Sequence, residues 1–193
     1  MLHGRHARLA HPEPWRPVQI AAGGVLTGIL TPLFQPVVDR INGAPGDFRI
    51  ALVGLPFAIL VALVVRRRSA NPSWAAAAAA IVTMAAFVCA VNAAVWVDGQ
   101  LGEVGSGVRN CCAGLAGGLV GSGLMALGIG LLPAGPRTIA AWLPMLCIGT
   151  IAGSLLALDS ALRLDLVSIL YPVWQAGVAT GLAMALQRTI APR

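Results

Sequence analysis

The sequence predicts an all-α integral membrane protein, a compact bundle of six transmembrane helices with both termini on the cytoplasmic side. Of its 193 residues, 58% are hydrophobic and only 10% are charged, whereas a soluble domain carries about 25% charged residues. Apolar runs also reach repeatedly the ~20 residues that a bilayer-spanning helix needs. Helices are expected because an open sheet would leave backbone polar groups without partners in lipid.

The first three expected spans are residues 18–38, 48–65 and 74–97, preceded by a cytoplasmic tail of residues 1–17. The first run exceeds the apolar segment of a signal peptide, about 7–15 residues, and no small-x-small cleavage site follows it, so we expect it to be retained. The second span ends before three arginines. The third begins with a run of alanines after the turn-forming segment SANPS.

The last three expected spans are residues 108–132, 139–158 and 164–186, and they complete a transmembrane domain of residues 18–187. The fourth follows the loop DGQLGEVGSG, and the fifth follows the turn PAGPRT. A cytoplasmic tail of residues 188–193 follows the sixth. Because every connection is short, no soluble catalytic domain is expected between the spans.

The arginines predict the orientation. All 13 basic residues are arginine, and four of them face outside together with six of the seven acids if the amino terminus lies inside. The nine on the cytoplasmic side are then Arg5, Arg8, Arg16, Arg66, Arg67, Arg68, Arg137, Arg188 and Arg193. Because cytoplasmic loops are enriched in arginine, nine arginines on this side against four on the other favour an orientation with both termini inside. The alanine-rich, arginine-only composition is also typical of a bacterial protein, and we therefore expect the cytoplasmic (inner) membrane.

Several classes of chemistry are disfavoured. The absence of lysine excludes a Schiff base and a Walker phosphate site. The four cysteines lack CxxC spacing and nearby histidines, so no metal and no cofactor are expected. No acid or base lies at mid-membrane, which disfavours an enzyme. The arginines lie at helix ends, where topology explains them better than nucleic-acid binding does.

Glycines recur at small-xxx-small spacing in four spans. Such pairs let helix backbones approach closely in lipid. The predicted helix-packing residues are Gly24, Gly28, Gly114, Gly117, Gly118, Gly121, Gly149, Gly153, Gly177 and Gly181. Packing within the chain is the favoured interpretation, and contact with a membrane-protein partner or a homodimer is the alternative.

The first span carries a polar stripe. Thr27, Thr31 and Gln35 lie at i, i+4 and i+8, and Pro32 and Pro36 each remove a backbone donor one turn after a carbonyl. One interpretation is a cavity or ligand site in the outer half of the membrane. The other is a proline-kinked helix whose threonines bond to their own backbone.

Four further polar residues complete the predicted substrate-binding set. Asn92 and Gln175 lie at lipid depth and are expected to face the bundle, since an unpaired amide there is costly. Asn110 shares a helical face with the glycines of the fourth span, and Arg109 lies beside it at the outer mouth. The five tryptophans lie near predicted helix ends, which is typical of an interfacial belt.

A weak internal symmetry is present. AGGVLTG in the first span is similar to AGGLVGSG in the fourth, and Pro72/Trp74 matches Pro172/Trp174 in spacing. Three helices per half would form a 3+3 inverted repeat, a plan that many transporters use. Chance similarity among helices rich in glycine, leucine and alanine is the alternative.

Two functions remain open. The first is a transport or substrate-binding membrane subunit for a small uncharged or weakly anionic solute, an expectation supported by a length and six-helix plan similar in architecture to the substrate-binding membrane subunits of importers. The second is a non-catalytic membrane scaffold, anchor or sensor subunit that acts through glycine-rich helix contacts. The expected partners are the lipid bilayer, a small-molecule solute and a membrane-protein partner or second copy.

Overall fold

A computed structural model describes residues 16–41, 45–164 and 167–187, and the regular structure in these ranges is entirely helical. The predicted all-α fold is therefore confirmed for them. The helices are α1 (Pro17–Asp39), α2 (Gly46–Val53), α3 (Leu55–Arg68), α4 (Trp74–Gln100), α5 (Ser106–Gly130), α6 (Ile139–Gly153), α7 (Leu156–Ala161) and α8 (Leu170–Gln187).

Several helices are long and apolar enough to cross a membrane. Within the described ranges these are α1, α4, α5 and the stretch Ile139–Ala161 made of α6 and α7. The α2–α3 pair passes the same test as one unit but is bent by 54°. Four or five membrane-spanning elements are thus supported, as expected of a protein embedded in a bilayer. The 18-residue α8 is not among them, and half of its residues are buried inside the bundle.

The second expected span, residues 48–65, is not one straight helix. The bend lies at Gly54, and Pro56 follows in the first turn of α3. Proline has no N–H, so the Leu52 carbonyl loses its partner in the helical ladder. The Phe87 ring packs against Gly54, where a Cβ would approach its Cγ to 3.0 Å. Proline and the neighbouring ring together explain the break.

The fifth expected span is also divided, at Ser154 between α6 and α7. The Ser154 hydroxyl donates to the Ile151 carbonyl at 2.7 Å, a local bond that competes with the regular helical ladder. By contrast, α1 continues through both Pro32 and Pro36. The prolines of the first span therefore do not end their helix.

The helices form a closed ring in the order α1, α3, α4, α5, α6 and α8, in which each contacts the next and α8 returns to α1. Beyond its ring neighbours, α8 also contacts α3 and α5. Trp174 of α8 lies in this core, edge-on to Phe57 with ring centroids 5.6 Å apart. Trp142 is buried as well and donates from its indole N–H to the Pro136 carbonyl at 3.0 Å.

Those two burials correct part of the expected aromatic belt. Trp74 and Trp96 are 57% and 66% exposed, as interfacial residues would be, whereas Trp142 and Trp174 are 6% and 8% exposed. Trp15 lies outside the described residues. A position near a helix end therefore fails to separate an interfacial tryptophan from a core one, since the neighbouring helices decide its burial.

The two ends of the bundle differ in charge. We call one the acidic end: it holds the carboxyl end of α4, the amino end of α5, and α7, with Asp98 and Asp159. The opposite, arginine end holds the carboxyl end of α3 with three consecutive arginines, and the turn before α6 with Arg137. Both broken helices have their short segment, α2 or α7, toward the acidic end.

Candidate functional site

The α1–α8 crossing brings the first and last described helices together. Gly24 lies against the backbone of Gln175 and Ala176, and Gly28 against the backbone of Tyr171 and Pro172. A Cβ at either glycine would overlap the α8 backbone. Glycine is therefore required at both positions because of close approach, as in other membrane helix pairs.

Two members of the predicted polar stripe belong to this crossing. Thr27 donates to the Gly24 carbonyl at 3.1 Å, and Thr31 donates to the Thr27 carbonyl at 2.9 Å. The Gln175 side-chain amide donates to the Thr31 hydroxyl at 2.8 Å, and both residues are fully buried. The Gln175 Oε1 atom has no hydrogen-bond partner among the described residues. Thr31 and Gln175 thus join two helices rather than face a cavity.

The remaining predicted packing glycines also lie against helices of this chain. Gly114 meets Gly153, and Gly118 meets Gly149, so the α5 and α6 backbones touch directly. On its other side, α5 packs on α4, where a Cβ on Gly117 would lie 2.9 Å from the Ala90 carbonyl. The other neighbours are Trp174 for Gly121, Ile148 for Gly177 and Met145 for Gly181.

A polar cavity of about 520 Å³ opens at the acidic end, between α1, α7 and the start of α8. It falls in the ~300–1,000 Å³ range of ligand pockets. Gln35 is the member of the predicted set that lines it. The other residues that line it are Pro32, Leu156, Asp159, Ser160, Arg163, Leu164, Ser168, Leu170 and Tyr171.

Asp159 organises the wall of this cavity. It is 7% exposed and accepts hydrogen bonds from the Ser168 hydroxyl at 2.5 Å and from the backbone N–H groups of Ile169 at 2.9 Å and Leu170 at 3.3 Å. Ser168 in turn accepts the Tyr171 N–H at 3.2 Å. The first N–H groups of a helix lack partners in the helix itself and attract negative charge. Asp159 therefore caps α8 from a different helix.

Arg163 follows α7 in a left-handed backbone conformation, with φ of 52°. Its N–H bonds to the Ser160 carbonyl at 3.2 Å, and the Leu164 N–H bonds to the Asp159 carbonyl at 3.0 Å. This pair of bonds is a Schellman motif, which glycine usually closes. An arginine there costs about 1–2 kcal/mol of backbone strain. Arg163 is also one of the residues that line the polar cavity.

Three other predicted residues lie apart from the cavity lining. The Asn110 side chain donates to the Ser160 hydroxyl at 2.7 Å. This bond connects α5 to α7 beside the cavity. The Nε atom of Arg109 lies 2.9 Å from Oδ1 of Asp98. The N–H does not point at the oxygen, so this contact is an ion pair without a hydrogen bond.

Asn92 departs from its expected place. It is exposed rather than turned into the bundle, and its amide donates to Asp47 of α2 at 3.3 Å. The partner explains the difference, because an amide that finds a carboxylate on a neighbouring helix needs no position in the interior.

Sequence reasoning missed most of the cavity lining. Asp159, Ser160 and Arg163 fall in the loop between the fifth and sixth expected spans, and Ser168 falls near the start of the sixth, where charged and hydroxyl groups are ordinary. Their spacing gives no sign that one carboxylate caps the next helix. The chain's one tyrosine, Tyr171, was the available signal, because a lone phenol at the start of an apolar span needs a polar neighbour.

The described residues contain no group of three or more His, Cys, Asp or Glu side chains able to hold a metal ion. Comparison with protein-family models, with curated proteins and with solved structures finds no match for this chain.

Proposed function

We propose that this protein is a transport or substrate-binding membrane subunit for a small uncharged or weakly anionic solute, which binds in the polar cavity at the acidic end. One observation carries the proposal: a cavity of about 520 Å³ whose polar groups come from α1, α7 and the start of α8. Ligand sites characteristically combine a formed concavity with a few convergent polar groups.

The charges around the cavity support the class of solute. The two carboxylate oxygens of Asp159 already accept three hydrogen bonds, so this negative charge is compensated within the protein. Arg163 contributes a positive charge to the cavity lining, and Gln35 and Ser160 contribute neutral hydrogen-bonding groups. A neutral or weakly anionic solute fits these groups better than a cation does.

Six membrane spans are part of this proposal, with the α2–α3 pair and the α6–α7 stretch counted as one span each. The 18 residues of α8 correspond to about 27 Å of helix at 1.5 Å per residue, close to the ~30 Å hydrocarbon core. Its lower hydropathy is compatible with a span because other helices, rather than lipid, cover much of its surface.

The proposed orientation places both termini in the cytoplasm of a bacterial cell, with the acidic end outside the inner membrane. The arginines at the carboxyl end of α3 and before α6 support it through the positive-inside rule. Thiol labelling tests it, in a variant whose four native cysteines are replaced by alanine. We expect a membrane-impermeant maleimide to label Ser160→Cys in intact cells and Arg67→Cys only after lysis; the reverse pattern would overturn the orientation.

The ring order gives partial support to the 3+3 inverted repeat. The contact of α1 with α8 corresponds to that of α5 with α4 if the halves are exchanged. The breaks do not correspond, because α2 precedes the break of its span whereas α7 follows the break of its own. Both short segments lie toward the acidic end, while an inverted repeat would place them at opposite ends. The proposed site in the polar cavity does not depend on such a repeat.

The scaffold alternative has less support. It depends on glycine faces that are available to a partner, whereas the ten predicted packing glycines lie against helices of the same chain.

Ligand-induced thermal stabilisation tests the proposed site. The protein is reconstituted in lipid nanodiscs and screened with small polyols, amides and monocarboxylates, since a ligand that binds only the folded state raises its stability. We expect Gln35→Leu and Arg163→Gln each to weaken the response to an active solute about tenfold. The matched control is Gln100→Leu, an exposed change at the same end. No stabilising solute, or stabilisation that survives both substitutions, would contradict the proposal.

A further inference from the structure

A second cavity adjoins the polar one. Its volume is about 260 Å³, and it lies between α4, α5 and α8 with a contribution from the α6–α7 break. Its walls are aliphatic and aromatic side chains, including Phe87, Val91 and Trp174, together with the backbone of α5 glycines. It extends from the middle of α4 toward the acidic end, where Val95, 65% exposed, marks its approach to the lateral surface of the bundle.

The two cavities share part of their wall. Leu156, Leu170 and Tyr171 line both. The Tyr171 ring lies 6.1 Å from that of Phe87, on the apolar side. Asp159, Ser160 and Arg163 are confined to the other side. An apolar compartment and a polar compartment therefore meet within one turn of α8.

The apolar compartment suits hydrocarbon better than water. Water needs two to four polar partners to occupy a cavity stably, and apolar cavities remain dry. A wall without atoms opposite it also forfeits dispersion contacts, which a chain of methylene groups restores. At ~30 Å³ for each water-sized group, this volume holds on the order of nine such groups. That capacity fits one alkyl chain and not two.

We propose that the two cavities form one site for a single-chain amphiphile, with its alkyl chain in the glycine-walled cavity and a small hydroxyl or carboxyl head in the polar cavity. This inference rests on the proposed function and deepens it, because it names the class of solute. The lateral approach at Val95 gives the alkyl chain access from the bilayer, and Arg163 and Ser160 line the cavity that would hold the head. A double-chain phospholipid exceeds the apolar compartment.

Bromine quenching of tryptophan fluorescence tests this proposal, because Trp174 lines the apolar cavity. The full chain is placed in nanodiscs of saturated phosphatidylcholine, and 4,5-dibromooctanoate, 4,5-dibromooctanol and 4,5-dibromooctane are added at low mole fraction. We expect saturable quenching by the first two and about tenfold weaker binding of the alkane, which has no head. Trp174→Phe is expected to remove the saturable part and leave collisional quenching of exposed tryptophans such as Trp96.

Two further variants locate the chain and the head. Ala94→Leu fills the apolar cavity and is expected to abolish saturable quenching. Its matched control, Ala85→Leu, is exposed on α4 about two and a half turns away and should leave quenching unchanged. Arg163→Gln is expected to weaken binding of the octanoate probe about fivefold and of the octanol probe less than about twofold, since only the carboxylate gains from the guanidinium.

The outcomes separate this inference from the proposed function. Equal binding of all three probes would overturn it, because the polar cavity would then play no part. Saturable quenching that persists in Trp174→Phe would overturn it as well, and this variant adds no volume that could block folding. If polar solutes stabilise the native protein more than Gln35→Leu but no amphiphile quenches saturably, the inference fails and the proposed function stands. If neither binds, both fail.

Discussion

The α5–α6 and α1–α8 crossings are both close helix contacts, and they achieve closeness by different means. In the first, glycine faces glycine on both helices, at Gly114 with Gly153 and Gly118 with Gly149. In the second, the glycines belong to α1 alone, and the buried bond from Gln175 to Thr31 lies beside them. Dispersion and weak C–H···O contacts hold the first. The second adds a polar pair, which fixes how far one helix can slide along the other.

Gly118→Leu is the sharpest test of the α5–α6 crossing, in which glycine faces glycine. A Cβ there overlaps the Gly149 carbonyl, and two rigid backbones cannot move apart without opening the core. We expect a loss of about 3 kcal/mol or more in the free energy of unfolding. Unfolding by SDS titration of the detergent-solubilised protein measures it.

Gly123→Leu is the matched control for that change. It adds the same side chain to the same helix, at a position where no described residue beyond the neighbouring helical backbone lies within 4 Å of the new Cβ. Similar losses for the two variants would refute the account of the α5–α6 crossing.

Asp159 links the two crossings, because it follows α6 and caps α8. Asp159→Ala leaves the N–H groups of Ile169 and Leu170 without their partner, and we expect a loss of about 2 kcal/mol. The same titration measures it, with the exposed Glu103→Ala as control. If Asp159→Ala unfolds no more readily than Glu103→Ala, the carboxylate does not stabilise the start of α8.

The polar pair of the α1–α8 crossing should contribute less. A double-mutant cycle with Gln175→Leu and Thr31→Val is expected to give a coupling energy of about 0.6 kcal/mol, typical of hydrogen bonds between membrane helices. The coupling energy is expected to be small because, when Gln175 is replaced, the Thr31 hydroxyl keeps its hydrogen bond to the Thr27 carbonyl. A control cycle pairs Thr31→Val with Thr180→Val, whose hydroxyl bonds within α8. Coupling as large in the control would show that the Thr31–Gln175 bond is not what the cycle measures.

The smallest expected effect is a gain. Arg163→Gly relieves the left-handed strain after α7 and should stabilise the protein by about 1 kcal/mol. Arg163→Ala removes the guanidinium and retains the strain, so it should bring no such gain. Equal effects of the two substitutions in the unfolding titration would mean that the side chain, rather than the backbone, carries the cost.

The helical class and the approximate position of most helices could be predicted, because long apolar runs bounded by charged or turn-forming residues leave few alternatives in lipid. The bend at Gly54 could not, since it lies inside an apolar run and depends on Phe87 from another helix. The start of α8 also falls later than expected, at Leu170 rather than near residue 164. Ser168 and Asp159 determine that start through contacts that no local pattern records.

The candidate site was predictable only in part. Gln35 was recognisable because a polar residue in an apolar span is conspicuous, and it lines the polar cavity. Thr31 and Gln175 stood out for the same reason, yet each is the other's partner. Polarity within a span thus identifies residues that need a hydrogen bond, and only the packing tells whether a helix or a solute supplies it.

The Thr31–Gln175 bond joins residues 144 positions apart in the chain, and this separation bears on biosynthesis. During translation α1 enters the bilayer long before α8 exists. Gly24, Gly28 and Thr31 therefore face lipid or a chaperone of the insertion machinery until the last helix is made. Ring closure is then a late event. A chain released early would retain five helices of the ring and leave a gap between α6 and α1. The helix faces exposed at that gap give cellular quality control a surface by which to recognise unfinished copies.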